Sequence, residues 1–280
     1  MPASLTGATR LAGVIGTPIR HSLSPILYNA AFTALELDWA FVAFEVAEGE
    51  GAAAVDAARV LGLDGLSVTM PHKEAVIPAL DRLSPTAAAL GAVNVIGREG
   101  SELVGHNTDG AGFVDGLHHD EGIDVSGRRF AIVGAGGAAR AVTRAVAEGG
   151  ATEVVVVNRS PERAEAAVAL AGGVGRVGAE ADISDVEVVV NATPQGMAHL
   201  AALPFDPDLL RSGQIVVDLI YHPPVTALLA AARGRGLTAV NGVGMLIHQA
   251  ARAFRLWTGQ DAPLDAMSAA ALGALTRERP

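Results

Sequence analysis

The chain has 280 residues with a hydrophobic fraction of 50%, enough apolar side chain for a substantial core and a length that suits two domains of medium size. It contains no cysteine, which excludes disulfides, thiolate metal sites and a cysteine nucleophile and fits a reducing, cytoplasmic setting. A formal net charge of −10 argues against non-specific binding to nucleic acid or to an anionic membrane, and leaves small anionic ligands held by local donors. The opening MPASLTGATR lacks the charged start and apolar core of a secretory signal, and no apolar run reaches the length of a membrane span, so a soluble protein is expected.

In the first half, short apolar runs at Leu11 to Ile15, Phe41 to Val46, Leu66 to Thr69 and Val93 to Ile96 alternate with alanine-rich stretches of helical composition. The alternation predicts a three-layer α/β domain with a largely parallel sheet. After the first run, GTPIRHSLSPILYN places Ser22 and Ser24 before a helix whose first turn holds Pro25. Two hydroxyls and open amides there can clasp a carboxylate, while Ser24 alone also suits a helix N-cap. The run GLSVTMPHK puts Ser67 and Thr69 on one side of a strand by period-two alternation, with Lys73 past Pro71 at the expected start of a helix.

Lys73 is the only lysine in the chain, whereas arginine occurs nineteen times. An amine can be brought into proton-transfer range and a guanidinium cannot, which makes Lys73 a candidate acid/base; chance survival on a solvated surface is the plain alternative. Asn94 follows in GAVN, and GHNTD brings Asp109 to the domain boundary. Asp109 can position the amine and favour its charged form, or cap the helix expected from Asp109 to His119.

In the second half, runs at Phe130 to Val133, Val154 to Val157, Val186 to Val190, Ile215 to Leu219 and Leu237 to Val240 alternate with segments such as Pro161 to Ala171, a second α/β series. FAIVGAGGAAR sets Gly134, Gly136 and Ala139 at GxGxxA spacing between a strand and a helix, the dinucleotide fingerprint, with Gly137 and Ala138 at the helix end that faces a pyrophosphate. The next strand ends in Asn158, Arg159 and Ser160, with Arg163 a turn later, where an NAD site usually carries a carboxylate. Two guanidinium groups and a hydroxyl suit a 2′-phosphate, so NADP is expected over NAD. NATPQGM sets Asn191, Ala192 and Thr193 at a strand's carboxyl end, beside the nicotinamide or its ribose, or as an ordinary turn. Val243 to Trp257 and Ala266 to Thr276 are expected to be helical. The histidines at 21, 72, 106, 118, 119, 199, 222 and 248 show no paired ligand spacing, and no metal is expected.

The ordered set GTPIRHSLSP, SVTMPHK, GAVN, GHNTDGAG, GAGGAAR, NRS, NATPQGM, DLIYHPPVT and GVGMLIHQA resembles the shikimate dehydrogenase family from about Gly13 to Ala250. The resemblance implies NADPH-dependent reversible reduction of 3-dehydroshikimate to shikimate, with a substrate domain (1–108, completed by 244–280) and a Rossmann-type NADP domain (109–243) separated by a cleft. It implies that Ser22 and Ser24 hold the substrate carboxylate, that Lys73 and Asp109 form the catalytic pair, and that Thr69, Asn94 and Gln249 hold ring hydroxyls. Tyr221 and Gly242 would border the nicotinamide end. Two positions depart from the usual family pattern, Ser67 in place of asparagine and Val95 in place of threonine, and both flank the substrate. A paralogue acting on quinate or aminoshikimate is therefore the enzymatic alternative, and a non-catalytic metabolite sensor the alternative of another class. A small-molecule substrate is the expected partner, with monomer and homodimer both open.

Overall fold

A computed structural model describes residues 5–197 and 202–277; His199 and the first four residues of the opening segment lie outside the described residues. The chain divides into two compact units, Met1–Thr108 with Gln249–Pro280, and Asp109–His248. The first unit runs β1 (Arg10–Gly16), α1 (Ser24–Ala34), β2 (Trp39–Glu45), α2 (Gly51–Leu61), β3 (Gly65–Val68), β4 (Arg82–Leu83), α3 (Pro85–Leu90), β5 (Val95–Glu99) and β6 (Glu102–His106). The second comprises α4 (Asp109–Glu121), β7 (Arg129–Val133), α5 (Gly137–Glu148), β8 (Glu153–Val157), α6 (Pro161–Val168), β9 (Gly175–Gly178), β10 (Val188–Asn191), β11 (Ile215–Asp218), α7 (Ala227–Gly234) and β12 (Thr238–Val240). Helix α8 (Val243–Thr258) carries the chain back to the first unit, which α9 (Leu264–Arg277) completes.

The first sheet has the order β2-β1-β3-β5-β6-β4. Strands β2, β1 and β3 are mutually parallel, and β5 runs antiparallel to both β3 and β6. Alternation along the strands gives each face its own core. On one face Ile15, Leu66, Val68 and Ile96 pack with Val55 and Ala58 of α2 and Ala87 of α3. On the other, Tyr28 of α1 stacks on Phe41 at 4.3 Å between centroids and meets Trp257 of α8 at 5.0 Å. The Trp257 indole N–H, buried in this face, donates to the Ile96 carbonyl at 3.0 Å.

The second sheet has the order β12-β11-β10-β7-β8-β9, with every pairing parallel. Numbered within the unit this is the doubly wound order 6-5-4-1-2-3, whose connections reverse direction between β7 and β10. Near-continuous valine runs in β8 and β10 fit strands covered on both sides, with one core against α4 and α5 and another against α7.

Several local expectations need correction. The segment after Pro71 is a run of turns ending in a 3-10 helix at Ile77–Ala79, because its amides bond back within the turn, His72 to the Thr69 carbonyl and Val76 to that of His72. Strands β4, β6 and β9 were not anticipated, and β5 with β6 forms a hairpin over the two-residue loop Gly100 and Ser101. Helix α6 stops at Val168 and passes into a 3-10 helix, Ala169–Val174, where two glycines weaken the helix. The division between units falls inside α8, after His248, rather than at its first residues. Gly244 backs directly onto Gly116 of α4, and the buried His248 Nε2 lies 3.1 Å from Asp120 Oδ1 of the same helix.

Candidate active site

In the first unit, adjacent parallel strands β1 and β3 end at one sheet edge, and their following loops are stitched together. Thr69 N–H donates to the Ile15 carbonyl at 3.0 Å and Thr17 N–H to that of Met70 at 3.1 Å. Ser22 lies in the loop that leaves β1 and Ser24 begins α1, with Ser24 N–H donating to Ser22 Oγ at 3.3 Å. The N-cap of α1 is Leu23, without a side-chain cap, so Ser24 is the first helical residue and its hydroxyl is not used as a cap.

Lys73 sits in the turn after β3, and its carbonyl accepts the Val93 N–H at 2.7 Å. The next residue, Asn94, bonds through its carbonyl to Val68 N–H, so β3, the lysine turn and Asn94 share one edge. His72 anchors this turn from beneath: its ring is fully buried and Nε2 lies 2.9 Å from the Val46 carbonyl. The Asn94 amide donates to Thr108 Oγ1 at 3.0 Å and to Gln249 Oε1 at 3.2 Å, and its oxygen accepts the Thr108 N–H at 2.8 Å. Thr108 was not anticipated; its only sequence signal is its place in GHNTD. Asn94 thus ties together the residue where the chain leaves this unit and the residue where it returns. Asp109, buried, begins α4 as the first residue of the second unit.

Ser67 faces away from the aliphatic core, opposite Val95 in the β3 and β5 register. Its hydroxyl and that of Tyr28 neighbour one another, yet neither reaches a hydrogen-bonding partner of good geometry. Burial pushes the Tyr28 phenol well above its ordinary range, so it is a neutral hydroxyl.

In the second unit, Gly134 follows β7 at φ +113, where a Cβ would lie 3.0 Å from the Ala192 carbonyl. The fingerprint turn therefore packs against the loop after β10, as the reversal point between the two strands requires. Gly136 precedes α5 as its N-cap with no side-chain cap, and a Cβ there would meet nothing within 4 Å. Gly137 and Ala138 begin the helix while Ala139 is fully buried against the sheet. The open approach and the free amide end of α5 fit a pyrophosphate.

After β8, Arg159 and Arg163 are exposed, and among the described residues neither guanidinium has a hydrogen-bond or ion-pair partner. Ser160 is the N-cap of α6; its Oγ accepts the Arg163 N–H and donates to Glu162 at 2.8 Å. That bond holds the Glu162 carboxyl below its ordinary range. Asn158 donates to the Ser160 carbonyl. The arginines are therefore available to an anion, and Ser160 serves the helix.

The Asn191 side chain is also committed. Its amide donates to Asp218 Oδ1 at 2.9 Å and to the Gln195 carbonyl at 3.2 Å, and its oxygen accepts from Thr193 N–H and Oγ1. Asp218, fully buried at the end of β11, was not anticipated; burial raises its pKa and bonds from Thr226, Ile220 and Asn191 lower it. Tyr221 lies in the turn after β11, and Gly242 packs so tightly on that turn that a Cβ would stand 2.1 Å from the Leu219 carbonyl. Among the described residues no group of three or more His, Asp or Glu side chains is placed to hold a metal, and no helix is long and apolar enough to cross a membrane.

Family models match along the chain: "Shikimate dehydrogenase substrate binding domain" at residues 14–96, "Shikimate / quinate 5-dehydrogenase" at 117–200 and "Shikimate 5'-dehydrogenase C-terminal domain" at 242–272. The chain is 45% identical to the shikimate dehydrogenase (NADP(+)) of Moorella thermoacetica, over 93% of this chain and 92% of that one. It is 43% identical to the enzyme of the same name from Geobacter metallireducens, over 98% and 99% of the two chains. Among solved structures, shikimate 5-dehydrogenase from Thermus thermophilus in complex with NADP(H) and shikimate superposes with a TM-score of 0.89 at 36% identity, covering 95% of this chain and 100% of that one. With identity at this level along almost its whole length, the chain belongs to the shikimate dehydrogenase family.

Proposed function

We propose that the protein catalyses the reversible, NADP-dependent reduction of 3-dehydroshikimate to shikimate. The observation that carries this reading is the gathering of Thr69, Lys73, Asn94 and Gln249 at one strand edge of the first unit in a family whose named members use NADP. The first unit takes the substrate: Ser22 and Ser24 hold the carboxylate, and Ser67, Thr69, Asn94 and Gln249 the ring hydroxyls. The second unit takes the dinucleotide. The amide end of α5, with Gly134, Gly136, Gly137 and Ala138, receives the pyrophosphate, and Arg159 with Arg163 the 2′-phosphate. Ala192, Thr193, Tyr221 and Gly242 border the nicotinamide half.

NADPH when bound supplies the hydride. Lys73 donates a proton to the substrate carbonyl oxygen as charge develops there, and in the oxidative direction takes it back. Asp109 is its partner in the proposed catalytic pair. Both ligands are small molecules, and a cytoplasmic monomer or homodimer acting away from nucleic acid and membrane meets the requirement.

A second reading, oxidation of quinate, draws on Ser67 and Val95. Serine and valine present one hydroxyl where asparagine and threonine would present a carboxamide and a hydroxyl, so contacts to the ring substituents differ. The test is formation of reduced dinucleotide from shikimate and from quinate, each with NADP⁺ and with NAD⁺. Turnover confined to shikimate with NADP⁺ is expected; a preference for quinate or NAD⁺ moves the protein to the second reading, and silence on all four pairs removes both.

A further inference from the structure

The buried carboxylate of Asp218 has no part in the chemistry above, yet it is the centre of a closed network at the carboxyl edge of the second sheet. It ends β11 in register with Asn191, which ends β10. Asp218 Oδ1 accepts from the Asn191 amide at 2.9 Å and from Ile220 N–H at 3.1 Å, and Oδ2 accepts from Thr226 Oγ1 at 2.6 Å. Thr226 in turn caps α7 through the Leu229 N–H at 3.3 Å. Asn191 passes the constraint on, since its oxygen takes both Thr193 N–H and Thr193 Oγ1, and Thr193 Oγ1 accepts the Gln195 N–H at 3.1 Å. The carbonyl of Ala192, between them, is the group that closes on Gly134. One carboxylate therefore fixes the loop after β10, the turn after β11 that carries Tyr221, and the start of α7. Asp218, Asn191 and Thr226 are all buried.

In a doubly wound sheet a dinucleotide spans the reversal point, with its two halves over opposite sides. Here Arg159 and Arg163 stand beyond β8, on one side of β7, and the network stands on the other, over β10 and β11. The geometry points to Asp218 as a positioning residue for the nicotinamide half of the dinucleotide, acting through Asn191 and Thr193 without touching the ligand. This rests on the dinucleotide reading of the second unit.

Two probes separate the halves: NADP⁺, and adenosine 2′,5′-bisphosphate, which lacks the whole nicotinamide mononucleotide half, its phosphate included. Asn191→Asp sets a second carboxylate against Asp218 in a buried site, and Asp218→Asn added to it restores an acid and amide pair in reversed order. By calorimetric titration of the full chain, Asn191→Asp is expected to weaken NADP⁺ by about tenfold or more while leaving the bisphosphate within about twofold, and the exchanged pair to recover most of the loss. A structural defect would weaken both probes together. Thr226→Val, which removes the 2.6 Å bond to Asp218, should show the same selectivity with a smaller loss should Asn191→Asp not fold. Equal loss of both probes, no loss of NADP⁺, or additive losses in the exchanged pair overturns the assignment. Wild-type protein that binds neither probe overturns the dinucleotide reading itself.

Discussion

The hydroxyls of Ser67 and Tyr28, buried side by side, have only one another within the protein, at poor geometry. A buried polar group without a hydrogen bond costs about 1–3 kcal/mol, so a partner supplied by the bound state gains correspondingly. Thr69, expected on the same strand face, instead follows β3 one residue past its end. If the ring hydroxyl of the substrate completes Ser67, then Ser67→Ala should raise KM for shikimate by roughly fivefold to a hundredfold while Tm stays level or rises, because the variant removes an unmet group. Unchanged KM in steady-state kinetics would contradict this role. The places of Lys73, the serines, Thr69, Asn94 and the fingerprint glycines beside strand ends were legible in the sequence, because each is a reactive or permissive residue type that closes an apolar run. Asp218 and Thr108 were not, since a polar residue that closes an apolar run reads as the start of a turn until its partners from distant segments are seen. Asn191 and Ser160 were legible in position but not in role: their side chains serve the backbone around them.

At the level of elements, the apolar runs of both halves marked strands to within three residues, and the GxGxxA turn marked α5. Strand β9 escaped because GRVG has a single apolar residue to count, and β6 because ELVGH sits one two-residue loop beyond β5 and reads as its tail. The turn that carries Lys73 could not be read as such, since its shape depends on Val93 and Val46, which lie far away in the chain. In the proposed function the start of α6 carries the choice of cofactor. Arg159 is exposed and unpaired among the described residues, and the absence of a carboxylate at the end of β8 leaves no specific grip on a free ribose hydroxyl. Arg159→Ala should therefore weaken NADP⁺ by about 10- to 100-fold, the worth of a charge-assisted bond to phosphate, and NAD⁺ by less than about twofold. Direct titration of both dinucleotides checks this, and equal losses would place the phosphate elsewhere.

For the whole molecule, acid sensitivity follows from carboxylates whose partners hold them ionised. Asp81 is lowered from 3.8 by bonds from Leu103 N–H and Arg59, Asp182 from 3.8 by Ala179 N–H and Arg176, and Glu187 from 4.5 chiefly by Arg129. A folded pKa below the unfolded one gives stability that is present above the unfolded value and lost as pH falls through the folded one. Asp218, raised by burial, has the opposite sign: what it contributes is present at low pH and lost as pH rises through its folded pKa. The three lowered groups belong to both units, so Tm should fall steadily below about pH 4 by calorimetry, and a Tm that held level down to pH 2 would contradict the assignment. The proposed reaction likewise draws on residues of both units, Lys73 in one and the fingerprint of α5 in the other. The most direct measurement is therefore kcat for shikimate oxidation with NADP⁺ in the unaltered chain and in Lys73→Ala, with NADP⁺ affinity titrated alongside. A loss of about 10²- to 10⁴-fold in kcat at nearly unchanged NADP⁺ affinity is expected. Turnover equal to that of the unaltered chain would contradict the role of Lys73.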